Sequence, residues 1–210
     1  MSGGNNTVEL IGYYGSDETH AMSAWTSTSR DLSEEKKGRI DKLLKMLAEA
    51  GHHTVFEKSS LHFLITSDVA THIQFLKHRI GVSINAESAR YKELKDDKFY
   101  IPQDWPEEEV TRYTAYMEVC LEEYHRTLER LVQSGVSRKR AKESARFYLP
   151  YGNQITMDVM FNWRSFHHFL SLRGKPDAQR EIAWMADEML KLVSSISGNP
   201  FKHTISAFGY

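Results

Sequence analysis

Residues 106–134 constrain the fold more than any other stretch of the chain. Pro106 precedes Glu107, Glu108 and Glu109, which puts a proline at the first turn and three acids where a helix dipole is positive. Val110, Tyr113, Met117, Leu121, Tyr124, Leu128 and Leu131 then recur at steps of three and four, and Gly135 closes the run. A stripe of this kind has to be covered. Intrachain core is the first reading and a subunit interface the alternative.

Shorter segments surround that helix. Residues 8–14 and 154–161 are β-prone, and 54–66 reads as extended. Ser33 with Glu34 and Glu35 opens a helix that Gly51 stops. Ser67-Asp68 caps another helix, Ser137 a Lys- and Arg-rich one, and 162–173 and 177–195 carry two more. Six or seven helices and three or four strands, without regular βαβ alternation, predict a helix-rich α+β fold. With 210 residues, one domain is expected over 8–198, preceded by a flexible lead at 1–7 and followed by a tail at 199–210.

Composition excludes several functions. Lys and Arg number 27 against 28 Asp and Glu, whereas a general nucleic-acid binder carries a basic excess. The single cysteine, Cys120, rules out a disulfide framework and an intrachain thiolate metal site. It sits mid-helix beside Met117 and Leu121 and reads as a small, partly buried hydrophobe rather than a nucleophile. The histidine pairs 52–53 and 167–168 are adjacent, and adjacent helical residues diverge, so no metal is expected. No apolar run reaches membrane-spanning length and the N-terminus lacks a signal-peptide pattern, which gives a cytoplasmic expectation.

Two basic constellations stand out from this neutral background. Residues 74–91 hold Lys77-His78-Arg79 and Arg90, separated by Gly81, Ser83, Ala86, Ser88 and Ala89. Cations among small residues suit close approach of an anionic ligand; a basic surface loop is the plain alternative. Further on, Arg146 ends one helix and Asn162, Arg164, His168 and Arg173 share another. Arg164 and His168 are four apart and so lie on one face.

These stretches carry a resemblance. Lys77-His78-Arg79 through Ser88, followed by Arg90-Tyr91, is similar to the signature of the flavin-dependent thymidylate synthases: arginine-histidine-arginine, seven residues, serine, then arginine-tyrosine. Here Lys77 stands for the first arginine, and eight residues separate Arg79 from Ser88. Gly51-His52-His53-Thr54-Val55-Phe56-Glu57, Ala145-Arg146 with Leu149-Pro150, and Asn162-Trp163-Arg164-Ser165 through Arg173 resemble three further blocks of that family, in order.

The resemblance implies a small, mostly antiparallel sheet and a homotetramer with active sites shared between subunits. It implies FAD as cofactor, dUMP as substrate, methylenetetrahydrofolate as carbon donor and NADPH as reductant, with no enzyme thiolate. Carried over by position, Thr54, Lys77, His78, Arg79, Glu87, Asn162, Arg164 and His168 meet FAD. Gln74, Lys77, Glu87, Ser88, Arg90, Arg146 and Arg173 meet dUMP. Arg173 stabilises negative charge on the uracil and Ser88 positions the substrate. The alternative is a non-catalytic nucleotide- or RNA-binding module using the same basic residues.

Overall fold

The computed structural model describes residues 3–29, 33–88, 90, 92–93 and 98–210. Strands β1 Gly3–Gly4 and β2 Thr7–Tyr14 lead into α1 Asp17–Trp25, where Ser16 accepts from the Thr19 N–H as N-cap. Next come α2 Glu34–Lys37 and α3 Ile40–Glu49, two helices where the sequence reads as one. The break falls at Gly38, the C-cap of α2.

A 3-10 turn, His53–Glu57, follows, then β3 Ser60–Asp68, α4 Val69–Phe75, β4 Val82–Ala86 and β5 Phe99–Tyr100. The remainder is α5 Glu107–Gln133, α6 Arg138–Ala145, a 3-10 turn at Arg146–Tyr148, β6 Gln154–Phe161, α7 Trp163–Arg173, α8 Arg180–Ser194 and α9 Lys202–Ala207. The result is helix-rich, with a small four-stranded sheet in the order β2-β3-β6-β4 and a parallel pair β1-β5.

The extended reading of 54–66 holds from Ser60 onward and fails before it. Phe56 is buried, with its ring 4.7 Å from Phe208 and 5.3 Å from His20, and the backbone coils into the 3-10 turn that seats it. Tertiary burial of one aromatic ring outweighs local β-propensity here.

The chain falls into two compact units, each assembled from non-contiguous segments. One comprises Met1–Thr7, Ile65–Leu76 and Asn85–Met157. Its centre is α5. Met117 and Leu121 pack with Phe99, and Tyr124 and Leu128 with Ala141 and Ala145 of α6. The apolar stripe is therefore intrachain core over these positions, while Tyr116 and Val119 on the helix remain exposed. The expected lead is tied down in this unit. Asn6 is buried, donates to Asp68 Oδ2 at 2.9 Å and accepts from Gln154 Nε2 at 3.0 Å. Asp68 also caps α4 by accepting from the Thr71 N–H at 2.8 Å.

The other unit comprises Val8–Leu64, Lys77–Ile84 and Asp158–Tyr210. Phe63, Phe161, Phe166 and Phe169 form its aromatic centre, with ring centroids 5.3–6.4 Å apart. The stretch expected as a tail belongs to this centre: Phe201 is buried against Trp163 and His20, and α9 carries the buried Thr204 and Ile205.

A buried polar chain links α1, the residue preceding β3 and α9 in this unit. Asp17 accepts from the N–H groups of His203 and Thr204 and from Thr204 Oγ1. Since the Thr204 hydroxyl donates to Asp17, its oxygen accepts from His20 Nδ1 at 2.9 Å, and His20 Nε2 accepts from Ser59 Oγ at 2.8 Å.

Burial drives His20 down to about 3. His78 lies at about 4, through burial and then the charges of Arg173 and His168. Burial lowers His72 and His167 as well, and it raises Asp17 in spite of its donors.

A histidine lowered in the folded state stays neutral while its unfolded counterpart takes up a proton below about pH 6.5. Stability is therefore full above that pH and lost as pH falls toward the folded values, with Asp17 acting in the opposite sense. Urea unfolding should give a lower midpoint at pH 5 than at pH 7, the stability lost being roughly 2 kcal/mol for His20 and less for the less deeply buried His78. Equal midpoints would mean that these rings are not held neutral.

Candidate active site

The N-terminus of α7 organises the site. Asn162 caps the helix by accepting from the Ser165 N–H at 2.9 Å. Ser165 Oγ donates to the Gly81 carbonyl at 2.7 Å, which pins the loop after Lys77-His78-Arg79 to this helix end. Gly81 has φ +68, and a Cβ there would lie 2.7 Å from Asn162 Nδ2, so the approach requires glycine.

Beside this junction lies a cleft of about 540 Å³. Asn162, Arg164, Ser165, His167 and His168 line it from α7, Ile80 and Gly81 from the loop, and His53 and Glu57 from the 3-10 turn. Arg164 is held by Glu57 at 2.5 Å across the cleft lining. His167 stacks on Phe208 with centroids 4.1 Å apart, and its Nδ1 lies 3.0 Å from the Tyr210 hydroxyl. Burial of that hydroxyl pushes Tyr210 up to about 12, so it stays protonated.

The structure brings together Asn162, Arg164 and His168 from the expected flavin set. Thr54 is exposed on the turn that supplies His53 and Glu57. Lys77 and Arg79 are exposed on the loop, whereas His78 between them is buried. The ring of His78 lies 5.0 Å from that of Phe169, and its Nε2 accepts from Arg173 Nε at 3.0 Å. Arg173 is half-buried at the C-terminal end of α7.

Most of the expected nucleotide set lies in the unit built on α5. Ser88 Oγ accepts from the Arg90 N–H at 3.2 Å. Arg90 Nε donates to Glu143 Oε1 at 2.6 Å, and Arg140 donates to the same carboxylate's Oε2 at 3.4 Å. Arg146 is exposed at the C-cap of α6, and Gln74 is half-buried on α4. Glu87 exchanges bonds with Thr156, its N–H to the carbonyl and its carboxylate to the N–H, and pairs with Lys92 at 2.5 Å. Burial raises Glu87, but Lys92 and Thr156 outweigh it and the net shift is downward.

Sequence reasoning did not place His53, Glu57, Ile80, Ser165 or His167 in the site. Each sits beside a motif residue already singled out, His167 next to His168 included, and that position is the available signal. What fixes the His167 ring is not legible there, because Phe208 and Tyr210 are over 40 residues away.

Comparison with known proteins identifies the family. Residues 9–197 match the Thy1 family model, described as thymidylate synthase complementing protein. The flavin-dependent thymidylate synthase of Streptomyces avermitilis is 31% identical over 213 residues, covering 87% of this chain and 84% of the relative. That of Tropheryma whipplei (strain TW08/27) is 32% identical over 210 residues, covering 87% and 85%. Among solved structures, the UMP/dUMP methylase PolB from Streptomyces cacaoi bound with 5-Br dUMP superposes with a TM-score of 0.82. The two are 29% identical, and the match covers 98% of this chain and 95% of that one. With four ordered motif blocks, a family match over nearly the whole chain and a shared fold, this protein belongs to the Thy1 family, the flavin-dependent thymidylate synthases.

Proposed function

We propose that the protein methylates dUMP reductively to dTMP with FAD as its flavin, methylenetetrahydrofolate as carbon donor and NADPH as reductant. The enzyme is proposed to act in the cytoplasm as a homotetramer with active sites shared between subunits. Among the described residues no helix is long and apolar enough to cross a membrane. The single observation that carries the reading is the cleft at the capped N-terminus of α7, in a chain of this family.

The residues there fit a flavin nucleotide. Arg164 and His168 offer side-chain donors, exposed Arg79 lies on the adjoining loop, and a helix N-terminus favours anions. Ile80 is 89% exposed at the cleft and offers an apolar surface for a flat ring, next to a backbone that lacks a Cβ at Gly81. When bound, the flavin supplies the hydride chemistry.

Everything else falls to the chain's own side chains. Glu57 orients Arg164 so that its guanidinium stays at the cleft. Arg90 and Arg146 suit a nucleotide phosphate by charge-assisted pairing, with the Ser88 hydroxyl beside Arg90. Arg173, charged at any working pH, stabilises the negative charge that develops on the uracil ring. Cys120 is half-buried on α5 and takes no part. PolB was solved with a brominated dUMP, which supports a pyrimidine nucleotide as the substrate class. The relatives named as synthases favour the enzyme over a non-catalytic binding module.

The purified protein should carry a visible flavin absorbance band that shifts on titration with dUMP. A colourless protein that takes up no FAD on incubation would sink the reading.

A further inference from the structure

Within the Lys77-His78-Arg79 triplet the middle residue is set apart. Its neighbours are exposed, while His78 is 7% exposed. The ring packs edge-on against Phe169 at 5.0 Å and lies 6.2 Å from the ring of His168, both on α7. Phe169 precedes Arg173 by four residues, so the ring and the guanidinium share one side of the helix.

The contact has a defined polarity. A guanidinium carries only donors, so His78 Nε2 must be bare where Arg173 Nε meets it at 3.0 Å. The proton then resides on Nδ1 and the ring is neutral. Protonation would place an imidazolium against the guanidinium, and burial, Arg173 and His168 all oppose it. Arg173 itself is lowered by burial, as expected for a cation held partly out of water.

A long side chain with about 2 kcal/mol of rotamer entropy gains from such an anchor. Its charge is useful only if it stays where charge develops on the substrate.

We propose that His78 is the positioning residue for Arg173: its neutral, buried ring holds the guanidinium by Nε and so fixes the group that faces the pyrimidine. This rests on the reading of Arg173 given above. It assigns His78 a role through another side chain rather than by contact with flavin.

The test compares flavin-loaded wild type with His78→Leu, His78→Gln, Arg173→Lys and the double variant His78→Leu/Arg173→Lys. Glutamine retains an acceptor; lysine retains charge but lacks the Nε that His78 holds. We expect His78→Leu to lower kcat for dTMP formation about 30- to 100-fold, with KM for dUMP within about threefold and flavin content unchanged. His78→Gln should recover at least about tenfold of that loss. In the Arg173→Lys background, His78→Leu should add less than about threefold, since the interaction it removes is already gone.

Nitrogen-15 spectra should also give His78 as the neutral Nδ1–H tautomer at pH 6, and an imidazolium there would overturn the assignment. Loss of flavin from His78→Leu with normal turnover per bound flavin makes His78 a flavin ligand and overturns it too. So do losses that multiply in the double variant. If His78→Leu does not fold, a folded His78→Gln with its Arg173 function lost contradicts the proposal, and near-normal turnover upholds it. A flavin-loaded wild type that forms no dTMP removes the parent reading, and this inference falls with it.

Discussion

Arg173→Ala is expected to lower dTMP formation at least about a hundred- to a thousandfold while leaving the fold and the bound flavin intact, a loss of roughly 3–4 kcal/mol of transition-state stabilisation. The expectation follows from what the side chain does and where it sits. Arg173 lies in the last turn of α7, half-buried, and donates to His78, whose own ring is fixed by packing. Removing it deletes a preorganised cation and creates no large cavity, so the thermal midpoint should move little. The Asn162 cap and the Gly81–Ser165 bond lie at the opposite end of the helix and keep the cleft. Steady-state kinetics and a visible spectrum on the same preparation separate the two effects. Turnover within tenfold of wild type would remove Arg173 from the chemistry.

Gly81→Ala is expected to damage the protein in a different way. The residue has φ +68, where an L side chain is strained by about 1–2 kcal/mol. The new Cβ would meet Asn162 Nδ2 at 2.7 Å and lie 3.3 Å from Ser165 Cβ. Relief of that clash costs the Asn162 cap, itself worth about 1 kcal/mol, and loosens the loop against α7. We expect a loss of roughly 2–4 kcal/mol in stability and a much larger proportional loss of flavin.

Two controls isolate the causes. Gly51 has φ +72 with open space at its Cβ position, so Gly51→Ala carries the backbone term alone. Gly12→Ala, with open space and ordinary backbone, carries neither. Denaturant melts and flavin content should rank Gly81→Ala worst, then Gly51→Ala, then Gly12→Ala. Equal effects of Gly81→Ala and Gly51→Ala would show that contact with Asn162 does not matter.

Local signals made much of this architecture legible in the sequence. The α5 stripe, the Asp68 and Ser137 caps, the helix at 162–173 and the β-prone run at 154–161 all depend on residues near one another in the chain. What the sequence hid depends on distant partners. Val82–Ala86 looks like loop because it is short and next to polar residues, yet it becomes an edge strand paired to β6. The residues after Asn199 offer little pattern, but Phe201 and Phe208 find aromatic partners in α7 and the 3-10 turn.

The site divides in the same manner. Asn162, Arg164 and His168 are visible because one helix end presents them, whereas the pairing of His78 with Arg173 joins residues 95 apart. The division into two units was equally hidden, because each is built from three separate segments.

Product analysis decides whether the protein methylates dUMP. Flavin-loaded protein is incubated with dUMP, methylenetetrahydrofolate and NADPH, and the nucleotide pool is separated and identified by mass. The expected product is dTMP, absent when any one component is left out and formed at an undiminished rate by Cys120→Ala. Flavin-loaded, folded protein that returns only dUMP would contradict it.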